Sequence, residues 1–122
     1  RKYINISKNF VNNFYKINSE SILDSKVLFK NDAKILFNNI EFIEFDNFNN
    51  YLISKNIYYF KYKINNILSQ PLENNKILIT VYGKKSINST VFYTFSDTFI
   101  ITYNFNKIII NNFISHIYSL NI

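Results

Sequence analysis

The chain has 122 residues, 14 Lys/Arg against 8 Asp/Glu for a net charge of +6, no cysteine and one histidine, so it is long enough for one domain, residues 1–122, with a sizeable core. Disulfide scaffolds, thiolate nucleophiles, Cys-based zinc sites and His-rich metal sites are excluded. No apolar run approaches the ~20 residues of a bilayer span, and the opening RKYINISK has neither a signal core nor an initiating Met, so the expectation is a soluble, non-exported chain whose native N-terminus is missing.

Asn and Ile each occur 22 times, a skew toward residues with AT-rich codons that discounts Asn as a loop marker. The 13 Phe and 10 Tyr argue against disorder. The positive charge admits an RNA or ribonucleoprotein partner. The lysines are scattered, however, with Lys84-Lys85 and Lys61/Lys63 as the only clusters and a single Arg, so they read as ordinary surface.

From Ser7 to Asn18, Phe10, Val11, Phe14 and Ile17 recur at three and four, which predicts an amphipathic helix. A second helix is expected near residue 20, with Ser21 and Asp24 at capping-box spacing and Ile22, Leu23, Val27 and Phe29 as its apolar face. AKILFNN and IEFIEF predict a short hairpin turning at Asn38-Asn39. Asp46 is the expected N-cap of a third helix carrying Phe48, Tyr51 and Leu52. From Ile57 onward four long antiparallel strands follow: YYFKYKINNIL, ending at Gln70-Pro71; KILITVYGKKS, with a bulge or bend at Gly83; VFYTFSDTFIITYN; and KIIINNFISHIYSL. The last two are joined through Asn104-Phe105-Asn106. Helices first and strands afterwards predict an α+β fold, three N-terminal helices on one face of a bent antiparallel sheet.

Parity along the strands sorts the faces. Val91, Tyr93, Phe95, Phe99 and Ile101 form a core set interrupted by Asp97, and Ile77, Ile79 and Val81 form another. The opposite faces are half-polar yet too apolar for plain solvent, and the last strand carries large apolar groups on both sides. Three helices can cover only one side, so a second polypeptide is the expected cover of the other.

The order of these landmarks resembles the nuclear transport factor 2-like family, whose fold is a cone of helices packed into a strongly bent sheet. FVNNFYKIN (10–18), LFNNIEF (36–42), SQP (69–71), ITVYG (79–83), FSDTFII (95–101) and INNF (110–113) carry the resemblance, which spans nearly the whole chain. Phe37-Asn38 and the run Lys84-Lys85-Ser86-Ile87-Asn88 stand where the Ran-binding transport factor has a Trp-Glu and an acidic loop. The resemblance therefore implies the other branch: a non-enzymatic small subunit of the nuclear mRNA-export receptor heterodimer. It implies pairing with a large subunit of the same fold, or with itself, and contact with Phe-Gly repeats of nuclear pores. It also implies location in the nucleus, at the pore and in the cytoplasm, and no cofactor or metal. The implied partner-binding sheet face is Tyr62, Leu78, Thr80, Tyr82, Thr94, Ser96, Thr98, Phe113 and Ser115.

Three other readings stand beside it. A Ran-GDP-binding import homodimer has the same outline. An RNA-associated module rests on charge alone. A cone-pocket enzyme would use Asp97, an inward carboxylate able to act as a base, with His116, the lone histidine, on a neighbouring strand.

Overall fold

The computed structural model describes residues 2–120. Helix α1 (Lys2–Glu20) extends the expected helix at both ends. It buries Ser7, Phe10, Val11, Phe14, Tyr15 and Asn18, one stripe at three and four, and Ile17 falls off that stripe. The second helix is a 3₁₀ helix, Leu23–Leu28, rather than an α-helix. Ser21 Oγ does accept the Asp24 N–H at 3.3 Å, but Ser25 Oγ donates back to the Ile22 carbonyl at 2.6 Å. This local bond competes with an α-helical continuation. Ile22 and Phe29 are buried, whereas Leu23 and Val27 stay exposed.

Strands β1 (Phe29–Phe37) and β2 (Ile40–Ile43) form the expected hairpin, with Asn38 and Asn39 both at positive φ. Helix α2 (Phe45–Ser54) begins one residue before Asp46. Asp46 lies in its first turn and pairs with Lys26 at 2.9 Å. Phe45, Phe48 and Leu52 are the buried face of α2.

Strands β3 (Phe60–Leu72), β4 (Lys76–Ile87), β5 (Phe92–Asn104) and β6 (Lys107–Ile117) follow as an antiparallel meander. The six-stranded order is β2-β1-β6-β5-β4-β3, in which β1 joins β6 in parallel and every other pairing is antiparallel. β3 runs through Pro71, beyond the expected stop, because it is an edge strand and one of its sides needs no ladder donor.

Two extra residues bend the meander. Ile64 pairs with Gly83 and Asn66 with Tyr82, leaving Asn65 over. Ile100 pairs with Asn112 and Ile101 with Ile110, leaving Asn111 over. Gly83 sits opposite the first of these bulges. A Cβ there would lie 2.1 Å from the Lys63 carbonyl oxygen, so the close approach of β3 requires glycine.

The helices fill the concave side with rings. Phe14 touches Phe99 with centroids 4.9 Å apart, Phe10 reaches Phe99 at 5.1 Å, and Phe99 reaches Phe113 at 5.0 Å. The Phe14–Phe99 and Phe10–Phe99 pairs are near-perpendicular, at 73° and 82°, and such pairs add to the gain from buried area.

Candidate functional site

Two features stand out: the sheet face turned away from the helices, and a polar cluster inside the cone. On the outer face, Leu78, Thr80 and Tyr82 of β4 lie beside Thr94, Ser96 and Thr98 of β5, placed where parity put them. Thr80 pairs with Thr98 and Tyr82 with Ser96, and the two threonine hydroxyls are 3.4 Å apart. Ile100, Ile114 and Leu68 extend this surface. Tyr82 is 41% exposed and Ile114 45%, large apolar groups that the chain's own helices leave uncovered.

Tyr62, Phe113 and Ser115 are not on that face. Tyr62 lies across from Lys85 on the helix side, and Phe113 and Ser115 are buried in the core. The two bulges explain all three corrections. An extra residue at Asn65 or Asn111 inverts parity on either side of it, so a face counted straight through the strand comes out on the wrong side. Ile114 falls on the other side of the same count, whereas Ile100 lies where the parity of β5 places it, with Thr94, Ser96 and Thr98. The signal was present, because both bulges fall on an Asn-Asn pair inside an apolar strand, KINNIL and IINNFI.

Inside the cone, Asp97 is 0% exposed, as its place in a core set predicts. Tyr15 Oη donates to its Oδ2 at 2.6 Å, and Ser115 Oγ donates to its Oδ1 at 2.6 Å. Lys85, expected as ordinary surface, lies within β4 and points inward, with Nζ 3.7 Å from Asp97 Oδ1 and 3.2 Å from Ser115 Oγ. The rings of Phe60, Phe95 and Tyr62 surround the ammonium at 4.7, 4.9 and 5.1 Å. Tyr62 Oη donates to Asn18 Oδ1, and Asn18 Nδ2 donates to Ser25 Oγ at 3.1 Å, which carries the network to the 3₁₀ helix.

Burial raises the Tyr15 and Tyr62 phenols well above their ordinary range, and the Asp97 charge raises them further. Burial lowers the Lys85 ammonium, and Asp97 partly offsets that. Both Asp97 oxygens are thus engaged, with no solvent-exposed surface from which a substrate could approach.

His116 does not join Asp97. It pairs with Ser96 and Asp97 pairs with Ser115, so the histidine stands on the opposite face, its ring 4.4 Å from that of Tyr118. Among the described residues no three His, Asp or Glu side chains gather to hold a metal ion, and no helix is long and apolar enough to cross a membrane.

No family model matches the chain, and no curated protein matches it in sequence. Solved structures do match. Nuclear transport factor 2 from Cryptosporidium parvum is 21% identical with a TM-score of 0.85, over 95% of this chain and 94% of that one. The yeast complex of deubiquitinase Ubp3 with its cofactor Bre5 gives 19% identity and a TM-score of 0.78, over 98% and 99%. Yeast Bre5, described as a Ubp3-associated protein, gives 20% and 0.74, over 92% and 93%. At such identities the likeness speaks for architecture alone: the chain has the nuclear transport factor 2-like fold.

Proposed function

We propose that this chain is a non-enzymatic protein-interaction module of nucleocytoplasmic transport. It is the small subunit that pairs, through the outer face of its sheet, with a large mRNA-export receptor carrying a domain of the same fold. The observation that carries this reading is the outer face of β4, β5 and β6. Leu78, Tyr82, Ile100 and Ile114 lie there among Thr80, Thr94, Ser96 and Thr98, with no helix over them. A standard interface needs roughly 800 Å² from each partner. Four long strands side by side present a surface on that scale, with apolar anchors inside a hydroxyl-rich surround.

The cone supports the non-enzymatic part of the reading, since its carboxylate is buried and fully partnered. Location in the nucleus, at the pore and in the cytoplasm, and contact with Phe-Gly repeats, belong to the same reading. The fold neighbours favour protein pairing in general terms, one of them being a cofactor in complex with an enzyme.

The experiment is recovery of the tagged chain from its source cells, with mass determination of the purified assembly. The expected result is a one-to-one complex with a larger chain. It should be lost in Leu78→Asp with Tyr82→Asp while the circular dichroism of the variant stays unchanged. A chain recovered alone as a well-behaved monomer overturns the reading.

A further inference from the structure

Two lysine clusters separate in sequence become one corner and one buried pair. Lys85 turns inward, while Lys61, Lys63 and Lys84 meet on the outer face, where Lys63 lies directly across the ladder from Lys84 and Lys61 stands two residues back. Lys63 Nζ sits 4.3 Å from the Phe92 ring centroid, and Lys84 Nζ donates to Thr94 Oγ1 at 2.7 Å. All three lysines are exposed, and among the described residues none makes an ion pair.

Like charges directly opposed across a ladder are unfavourable. Lysines do guard edge strands from unwanted pairing, and Lys61 and Lys63 are on an edge strand. Lys84 is on β4, inside the sheet, where no edge needs guarding. Nor does the rest of the sheet balance the corner. Of the acids on its strands, Asp97 is buried, Asp32 pairs with Lys30 at 3.5 Å, and Glu41 stands on the far edge strand β2.

We infer that this lysine corner selects the partner of the outer face: it receives carboxylates from a different protein chain with an acidic opposing surface, and it disfavours a second copy of this one. The inference rests on the reading that the face pairs with protein. Apposing two copies would enclose a strongly positive surface against its like, and desolvation would strengthen the repulsion. Specificity of this kind combines attraction to one partner with repulsion of another. Phosphates would also satisfy ammonium groups. Single-stranded RNA, however, is gripped by open aromatic platforms, and here Lys63 occupies a face of Phe92, while the corner continues into the Tyr82, Thr80 and Leu78 surface.

The test is a titration of the isotopically labelled chain with oligoglutamate and, separately, with oligouridylate, near physiological salt, together with its mass by sedimentation equilibrium. Oligoglutamate should shift the backbone amides of Lys61, Lys63, Lys84, Phe92 and Thr94. Lys63→Glu with Lys84→Glu should weaken that binding at least tenfold, whereas Lys8→Glu with Lys16→Glu on α1 should leave it unchanged. Scattered shifts, equal weakening by the α1 pair, or tighter binding of oligouridylate at the same amides overturns the inference. So does a stable homodimer of the unaltered chain, which would leave pairing through the sheet face standing. Failure of that pairing itself is read separately, from the Leu78 and Tyr82 variant in cells.

Discussion

Lys85→Met removes the one cation that faces Asp97 among the described residues. At 3.7 Å and an effective dielectric of ~20, the pair's attraction is about 4 kcal/mol. Taking both charges out of water costs several kcal/mol per ion, so the intact pair adds little net stability. Breaking it is different. The carboxylate stays buried with only the neutral Tyr15 and Ser115 donors, and a loss of about 3–5 kcal/mol is expected, a large part of the 5–15 kcal/mol typical of a domain. Lys85→Met also forfeits the contacts of the ammonium with Phe60, Phe95 and Tyr62, although the Met side chain refills most of the volume. The double variant Lys85→Met with Asp97→Asn should recover most of the loss, since an amide can still accept from Tyr15 and meets no uncompensated charge. Urea unfolding followed by circular dichroism, with Asp97→Asn completing the cycle, measures the coupling. A cost under about 1 kcal/mol for Lys85→Met, or a double variant no better than the sum of the singles, refutes the description of a buried, mutually dependent pair.

The same cluster sets the response to base. Tyr15 and Tyr62 are raised above the ordinary phenol value of about 10, so the unfolded chain loses those protons first. The stability they lend is present below pH ~10 and is lost above it, by up to about 1.4 kcal/mol per pH unit for each tyrosine, and Tyr62→Phe should flatten that slope in a pH series of urea midpoints. Phe105, 103% exposed with φ 47° at the β5–β6 turn, suits Asn better, and Phe105→Asn should raise stability by about 1 kcal/mol; a lower melting temperature would show that the ring does local work. Gly83→Ala places a methyl against the Lys63 carbonyl and should cost about 1–3 kcal/mol, with the β3 amides near Asn65 losing exchange protection first.

Much of the architecture was legible because the apolar period is strong where one face is covered. Phe10, Val11 and Phe14 announce α1, and Ile77, Ile79 and Val81 announce the core side of β4. What misled was the treatment of Asn. Seven of the ten non-glycine residues at positive φ among the described residues are Asn, including Asn38, Asn39, Asn74 and Asn75 in hairpin turns. In this chain Asn takes the left-handed positions that glycine usually fills, because its short polar side chain tolerates them. Discounting it as a product of codon bias concealed the two Asn-Asn bulges, and with them the true side of Tyr62, Phe113 and Ser115. The destination of Lys85 was hidden for another reason. Lys85 keeps the parity of Ile77, Ile79 and Val81 and Lys84 does not, but the bend expected at Gly83 interrupts that count, and the partner of Lys85 is 12 residues downstream on the next strand, in a register that only the fold supplies.

A carboxylate deep in a cone can act as a base only while a substrate reaches it and no resident cation has already answered its charge. Here both conditions fail for one structural reason. Phe10, Phe14, Phe99 and Phe113 occupy the volume, and Lys85 enters from β4 to neutralise Asp97 within it. The group that would be reactive in an open cone instead ties four elements together: α1 through Tyr15, β4 through Lys85, β6 through Ser115, and β5 on which it stands. A polar network satisfied to this degree resists the small openings that admit ligands, because separating any one element strands a buried charge. With the interior closed, the proposed pairing has the β4–β6 surface to use, where Tyr82 and Ile114 stay exposed beside the lysine corner of β3 and β4.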